Sequence, residues 1–215
     1  MNKKWLALII LALVAWYLWF GPVSAPIVGA LEEVIEAPTG FDSGVSIETP
    51  PLQSNFSPRP MVVAEDYVFT LMADFQLEAR VLGRRNYRRD SGAVLSPIDL
   101  ALGWGPMARD EVLAGIDISQ RGRFYFWRTR EFPIPRAQII ANSANMHMIP
   151  ASAEVFNELK RVKVDDTVRL RGYLVNIDRN DGWRWRTSMT RTDTGDGACE
   201  VVLVTLVQVT GGQSR

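Results

Sequence analysis

One apolar run constrains this chain more than any other feature in it. Trp5–Phe20 (WLALIILALVAWYLWF) carries no charge, no Gly and no Pro, and Lys3 and Lys4 precede it. Its length as a helix is about 24 Å at 1.5 Å per residue, short of the ~20 residues that a ~30 Å hydrocarbon core requires. The apolar character continues through residues 21–31 (GPVSAPIVGAL), so the expectation is a span over residues 5–23 within a signal-anchor segment of residues 1–31. Trp5 at one end and Trp16, Tyr17, Trp19 and Phe20 at the other read as two interfacial aromatic belts. Lys3 and Lys4, with no cation at the far end, keep the N-terminus cytoplasmic and send the rest outside. A cleaved signal peptide is the competing reading. Val23-Ser24-Ala25 and Val28-Gly29-Ala30 offer small residues to a peptidase, although Pro26 directly follows the first. Both readings place the same domain in the same compartment.

The formal net charge of zero over 215 residues conceals a division. Glu32, Glu33, Glu36, Asp42 and Glu48 make the stretch after the apolar run acidic, while from Arg59 onward 22 Lys+Arg face 19 Asp+Glu. Of the cations in that part only Lys160 and Lys163 are Lys. Arginine suits bidentate contact with carboxylate or phosphate. Cys199 is the single cysteine, which excludes an internal disulfide, and no cofactor motif is present (no GxSxG, no Walker A, no GxGxxG).

Residues 32–64 carry Pro38, Pro50, Pro51, Pro58 and Pro60 without a sustained apolar period, and read as an acidic, extended tether. A folded domain is expected over residues 65–210. Tyr67, Phe69 and Leu71, then Phe75, Leu77 and Ala79, alternate as in a strand. Ser96-Pro97-Ile98-Asp99 reads as a helix start, with a second short helix at Asp110–Ala114. Phe124–Trp127 reads as a strand, Gln138–Ala141 and Met146–Ile149 as a broken strand pair, and Ser152 as the cap of a helix through Lys160. Thr167–Ile177, Trp183–Thr190 and Cys199–Val209 read as a three-strand meander with turns at Asp181-Gly182 and Gly195–Gly197. The fold class is therefore α+β: an N-terminal transmembrane helix, then a mainly antiparallel β domain with a few short helices. Val162–Asp178 resembles the opening strand of an OB-type barrel, a fold that binds oligonucleotides and oligosaccharides.

If Asn180 faces Trp183 across the Asp181-Gly182 turn, Arg169, Arg171, Arg179, Arg184 and Arg186 share one face with Tyr173. Leu170, Leu174, Trp183, Trp185 and Met189 then share the other. Arg169, Arg171, Tyr173, Arg184 and Arg186 are thus candidate binding residues for an anion or an acidic protein surface, with nucleic acid the least favoured partner. Trp104, flanked by Gly103 and Gly105, is a further candidate contact. Cys199 and His147 are the residues a thiol-dependent hydrolase or transferase would use, since a thiolate needs a base beside it. Asp193, Asp196 and Glu200 lack the alternating spacing of an EF-hand, and no metal site or cofactor is expected.

ALGWGPM (101–107), FYFWR (124–128), SANMHMIP (143–150), VRLRGYL (168–174), GWRWR (182–186) and TRTDTGDGACEVV (190–202) together resemble a family of proteobacterial envelope proteins to which no activity is attached. The resemblance covers about residues 65–205 and implies a bacterial inner-membrane setting, without transferring a catalytic residue. The expected function is a single-pass, periplasm-facing binding or scaffolding protein of an envelope complex; the alternatives are the Cys199/His147 enzyme and an anion-binding β domain.

Overall fold

The computed structural model describes residues 3–20, 28–32, 34–35, 38, 40–63, 66–193, 195 and 197–212. It is an α+β fold with a mainly antiparallel sheet and a few helices. Helix α1 (Lys3–Phe20) is followed by a short α2 (Val28–Glu32). The described side chains of α1, Trp5–Val14, are all exposed. Two of its 18 residues are Lys3 and Lys4. Among the described residues no helix is long and apolar enough to cross a membrane. The expected span needed Gly21–Val23 to reach its length, and these lie outside the described residues.

The strands are β1 (Leu52–Val63), β2 (Tyr67–Asn86), β3 (Ile98–Gly103), β4 (Asp117–Arg121), β5 (Phe124–Arg128), β6 (Ser143–Pro150), β7 (Asp166–Arg179), β8 (Arg184–Trp185) and β9 (Glu200–Gly212). Five of them close into a ring. β2 pairs with β3, β3 with β6, β6 with β9, β9 with β7, and β7 returns to β2. All these ladders are antiparallel except β6–β9. Closure brings backbones very near each other at Gly172, where a Cβ would stand 1.9 Å from the Leu203 carbonyl oxygen. Only glycine fits there. β1 and β8 extend the ring's margins, and β4 and β5 form a separate two-stranded ribbon.

Alternation assigns the faces. Phe75, Leu77 and Ala79 of β2, Leu170 and Leu174 of β7, and Val202 and Val204 of β9 point into the ring, where Trp104, Met146 and Met148 join them. A helix between β6 and β7, α5 (Ala153–Arg161), adds Val155 and Leu159 to that core. Its start follows the cap rule: the Ser152 hydroxyl accepts from Val155 N–H at 3.1 Å. The opposite phases of β7 and β9, with the part of β2 that precedes its irregularity between Leu71 and Ala73, build a second core outside the ring from Phe69, Val175, Ile177, Val201 and Leu203. Leu31 of α2 is fully buried in it, and the Glu32 carboxylate accepts from Ala153 N–H.

Several sequence expectations are met differently. Ser96–Asp99 opens a strand rather than a helix, because all six residues of β3 are buried between β2 and β6. The Ser96 hydroxyl donates to the Ile98 carbonyl instead of capping. Gln138–Ala141 belongs to helix α4 (Arg136–Ala141), while α3 (Asp110–Leu113) falls where a short helix was expected. Leu52–Val63, read as tether, is strand β1, since it finds the free margin of β2. Val162–Asp178 supplies the fourth strand of the ring in chain order, not its opening strand, which is β2.

Candidate functional site

The arginine face divides. Arg179 N–H donates to the Trp183 carbonyl, Asp178 faces Arg184 and Ile177 faces Trp185, so three residues make the turn and Gly182 takes φ +89°. The expected register assumed two. A one-residue slip moves every side chain across the sheet. Trp183 and Trp185 therefore join the outer core with Tyr173, and Arg184 lies on the Asp178 side, away from Arg169 and Arg171.

Nor are these guanidinium groups vacant. Arg171 Nη1 donates to the Gly40 carbonyl at 2.7 Å and to Asp42 at 3.0 Å. Arg169 stacks on Phe41 with 4.5 Å to the ring centroid and donates to the Val45 carbonyl. Both thus hold the acidic segment that was read as tether. Tyr173 packs edge-on against Phe56 of β1. Arg186 donates to Asp178, whose carboxyl that bond holds below the ordinary range, and Arg184 lies 3.4 Å from the same carboxylate. Trp104 is fully buried among the ring's inward side chains, so it acts as core.

Cys199 and His147 have different partners. The thiol donates to the Arg123 carbonyl at 3.8 Å and accepts from Asn145 at 3.8 Å. Burial, aided by the Glu200, Asp99 and Asp193 charges, pushes the thiol up to about 12, which suppresses the thiolate a nucleophile requires. His147 serves another cluster. Its Nδ1 lies 2.9 Å from Oδ2 of the fully buried Asp99, although neither atom is aligned for a hydrogen bond. Asp99 accepts from Arg123 at 2.7 Å, and Arg123 also bonds Asp90 and stacks 3.7 Å above Tyr87. This network ties the loop after β2 to the β4–β5 ribbon.

An open concavity lies elsewhere among the described residues, a cavity of about 380 Å³. Its walls are Phe124–Trp127 of β5, Arg136 and Ile140 of α4, Ser143–Asn145 of β6, and Arg191, Asp193 and Cys199 of the loop entering β9. The Tyr125 hydroxyl shares a hydrogen bond with Ser143, which fastens the ribbon to the ring, and burial pushes that phenol up to about 12. Glu200 closes the floor. It stands in phase with the inward Val202 and Val204 and faces the core residue Met146, which is why a carboxyl enters the mouth of an apolar barrel. Burial pushes it up to about 8, against the opposing pull of Arg191.

No family model matches the chain. Neither a curated protein nor a solved structure matches it. The chemistry of the cavity is therefore read from its own side chains.

Arg191 Nε lies 2.8 Å from Glu200 Oε1, with the two side chains only 13% and 1% exposed. Yet all three guanidinium nitrogens and both carboxyl oxygens are buried without a hydrogen-bond partner among the described residues. Buried polar groups normally find partners, and leaving one unmade costs about 1–3 kcal/mol. The mouth therefore combines an aromatic wall with a buried guanidinium and carboxyl that make no hydrogen bond among the described residues. Among the described residues no group of three or more His, Cys, Asp or Glu is placed to hold a metal; Asp196 lies outside them. Sequence reasoning passed over Arg191 and weighed Glu200 only as a metal ligand. The available signals were four consecutive aromatics in a five-residue strand and a carboxyl in phase with inward valines.

Proposed function

We propose that this chain is a membrane-anchored binding domain of a bacterial envelope complex, built on an OB-type barrel and without catalysis of its own. The barrel assignment rests on the strand order around the ring and on a helix between its third and fourth strands. Barrels of this type bind ligands on strands two and three and the adjoining loops, and the cavity opens beside β6, the third strand. Lys3, Lys4 and the apolar run support a single span with the domain on the periplasmic side. The observation that carries the reading is the unsatisfied Arg191–Glu200 pair beneath the aromatic wall.

Placement favours a partner from the aqueous side over lipid. α2, the element nearest the anchor, bonds at Ala153, whereas the cavity borders Ser143–Asn145. β6 runs between them, and Asn145 to Ala151 spans roughly 20 Å at about 3.3 Å per residue.

The test is a photo-crosslinking amino acid at Phe126, 48% exposed on the cavity wall, in the full chain in intact cells. A binding domain gives a defined crosslinked species there that Arg191→Met weakens. An anion-binding surface instead yields a glycan or nucleic-acid adduct lost steeply with salt. Absence of any specific adduct contradicts the binding-domain reading.

A further inference from the structure

The cavity meets β5 in an unusual way. Alternate residues of a strand point to opposite faces, yet four consecutive residues, Phe124 to Trp127, line it. A cavity touched by both phases of a strand runs along the strand's edge. β5 pairs only with β4 among the described residues, and no other described backbone hydrogen bond involves Phe124–Arg128. Its second edge therefore offers main-chain donors and acceptors to the space between β5 and the Arg191 loop.

Exposed edges invite strand addition, and proteins blunt those they do not use. The outer edge of β1 is blunted in this way. It carries Pro58 and Pro60, and its register breaks between Asn55 and Arg59. β8 is only two residues long. β5 has no proline and no bulge against β4. At the end of its cavity, Arg191 directs Nε toward Glu200, and its Nη1 and Nη2 make no hydrogen bond among the described residues. That pair matches a carboxylate in bidentate fashion. Arg136 also lines the cavity, near the Trp127 ring of β5.

The geometry points to an extended peptide of a partner protein as the occupant: it adds as a strand to the β5 edge and places an Asp or Glu side chain on Arg191. This rests on the binding-domain reading and names its partner's chemistry. Main-chain bonds supply affinity and the arginine pocket selects the residue, the division of labour seen in strand addition generally. Burial shifts the Glu200 carboxyl toward its neutral form, which weakens its hold on Arg191.

The experiment selects from a displayed library of seven-residue peptides against the full chain in nanodiscs, with empty nanodiscs as counter-selection. The expected result is a set of peptides with Asp or Glu at one fixed position among alternating β-formers. N-methylation of the best peptide then weakens binding by about tenfold at every second amide and leaves the intervening ones unchanged, since only alternate amides face a neighbouring strand. Arg191→Met makes the Glu and Gln versions of that peptide bind equally. Three results overturn the inference: no peptide is selected, the acidic position varies, or the N-methyl scan lacks alternation. The scan needs no protein variant, so a variant that fails to fold leaves the test standing. A specific Phe126 adduct together with any of these failures overturns the peptide while retaining the binding domain; failure of both removes both.

Discussion

Arg171 and Arg191 sit on the same barrel in opposite states. Arg171 is half-buried and spent, because its guanidinium holds Gly40 and Asp42 of the chain's own N-terminal segment. Arg191 is nearly buried, lies beside Glu200 and over the Phe75 ring, and makes no hydrogen bond among the described residues. The first is fastened to what precedes it in the chain, and the second waits at a cavity. Arginine content therefore says little about where a protein binds; the partner each guanidinium already has says more.

The strongest way to break the comparison is to remove the ring that supports both sites. Gly172→Val sets a side chain against the Leu203 carbonyl, where even a Cβ would stand at 1.9 Å. Overpacking against backbone costs about 3 kcal/mol or more, so the melting transition followed by circular dichroism should broaden or vanish.

Next in size is a pH effect confined to the mouth. Glu200 in the folded chain holds its proton to about pH 8, while the ordinary value is 4.5. Between those values the folded state binds more protons than the unfolded one, so stability is fully present below the lower value and falls as pH rises through the upper. The loss amounts to a few kcal/mol, at about 1.4 kcal/mol per unit. Glu200→Gln should flatten this slope in urea titrations run from pH 5 to 9. A slope that survives the substitution assigns it to another group.

Arg171→Ala sharpens the contrast from the other side. It removes two bonds to the N-terminal segment, one to a half-exposed carboxylate, and should cost about 1 kcal/mol. Limited proteolysis should then cut residues 40–49 faster. Arg184→Glu is the smallest change. That side chain is 72% exposed and lies 3.4 Å from Asp178, so the melting temperature should shift by no more than about 0.5 kcal/mol would produce.

The strands were legible where alternation was strict. Phe69–Leu71 and Phe75–Ala79 of β2, the aromatic β5 and the Ser152 cap each carried a local signal, and each is found in place. What failed was decided at long range. The start of β3 reads as a helix start because Ser96, just before it, and Asp99, within it, bond to Ile98 and Arg123 rather than forming a cap. β1 looked like linker because its prolines suit an edge strand that only β2 reveals. The turn at Asp181-Gly182 was recognised, but its length was misjudged by one residue, and that single residue rearranged the supposed binding face. For the candidate site, Arg191 and Glu200 are nine residues apart across a loop, and nothing local distinguishes them from a solvated pair.

The decisive measurement compares crosslink yield from Phe126 in intact cells for the parent chain, Arg171→Ala and Arg191→Met, at matched protein levels. The contrast between a spent and an available arginine predicts an unchanged adduct with Arg171→Ala and its loss with Arg191→Met. Loss with Arg171→Ala and retention with Arg191→Met would contradict it and return the binding surface to the β7 face.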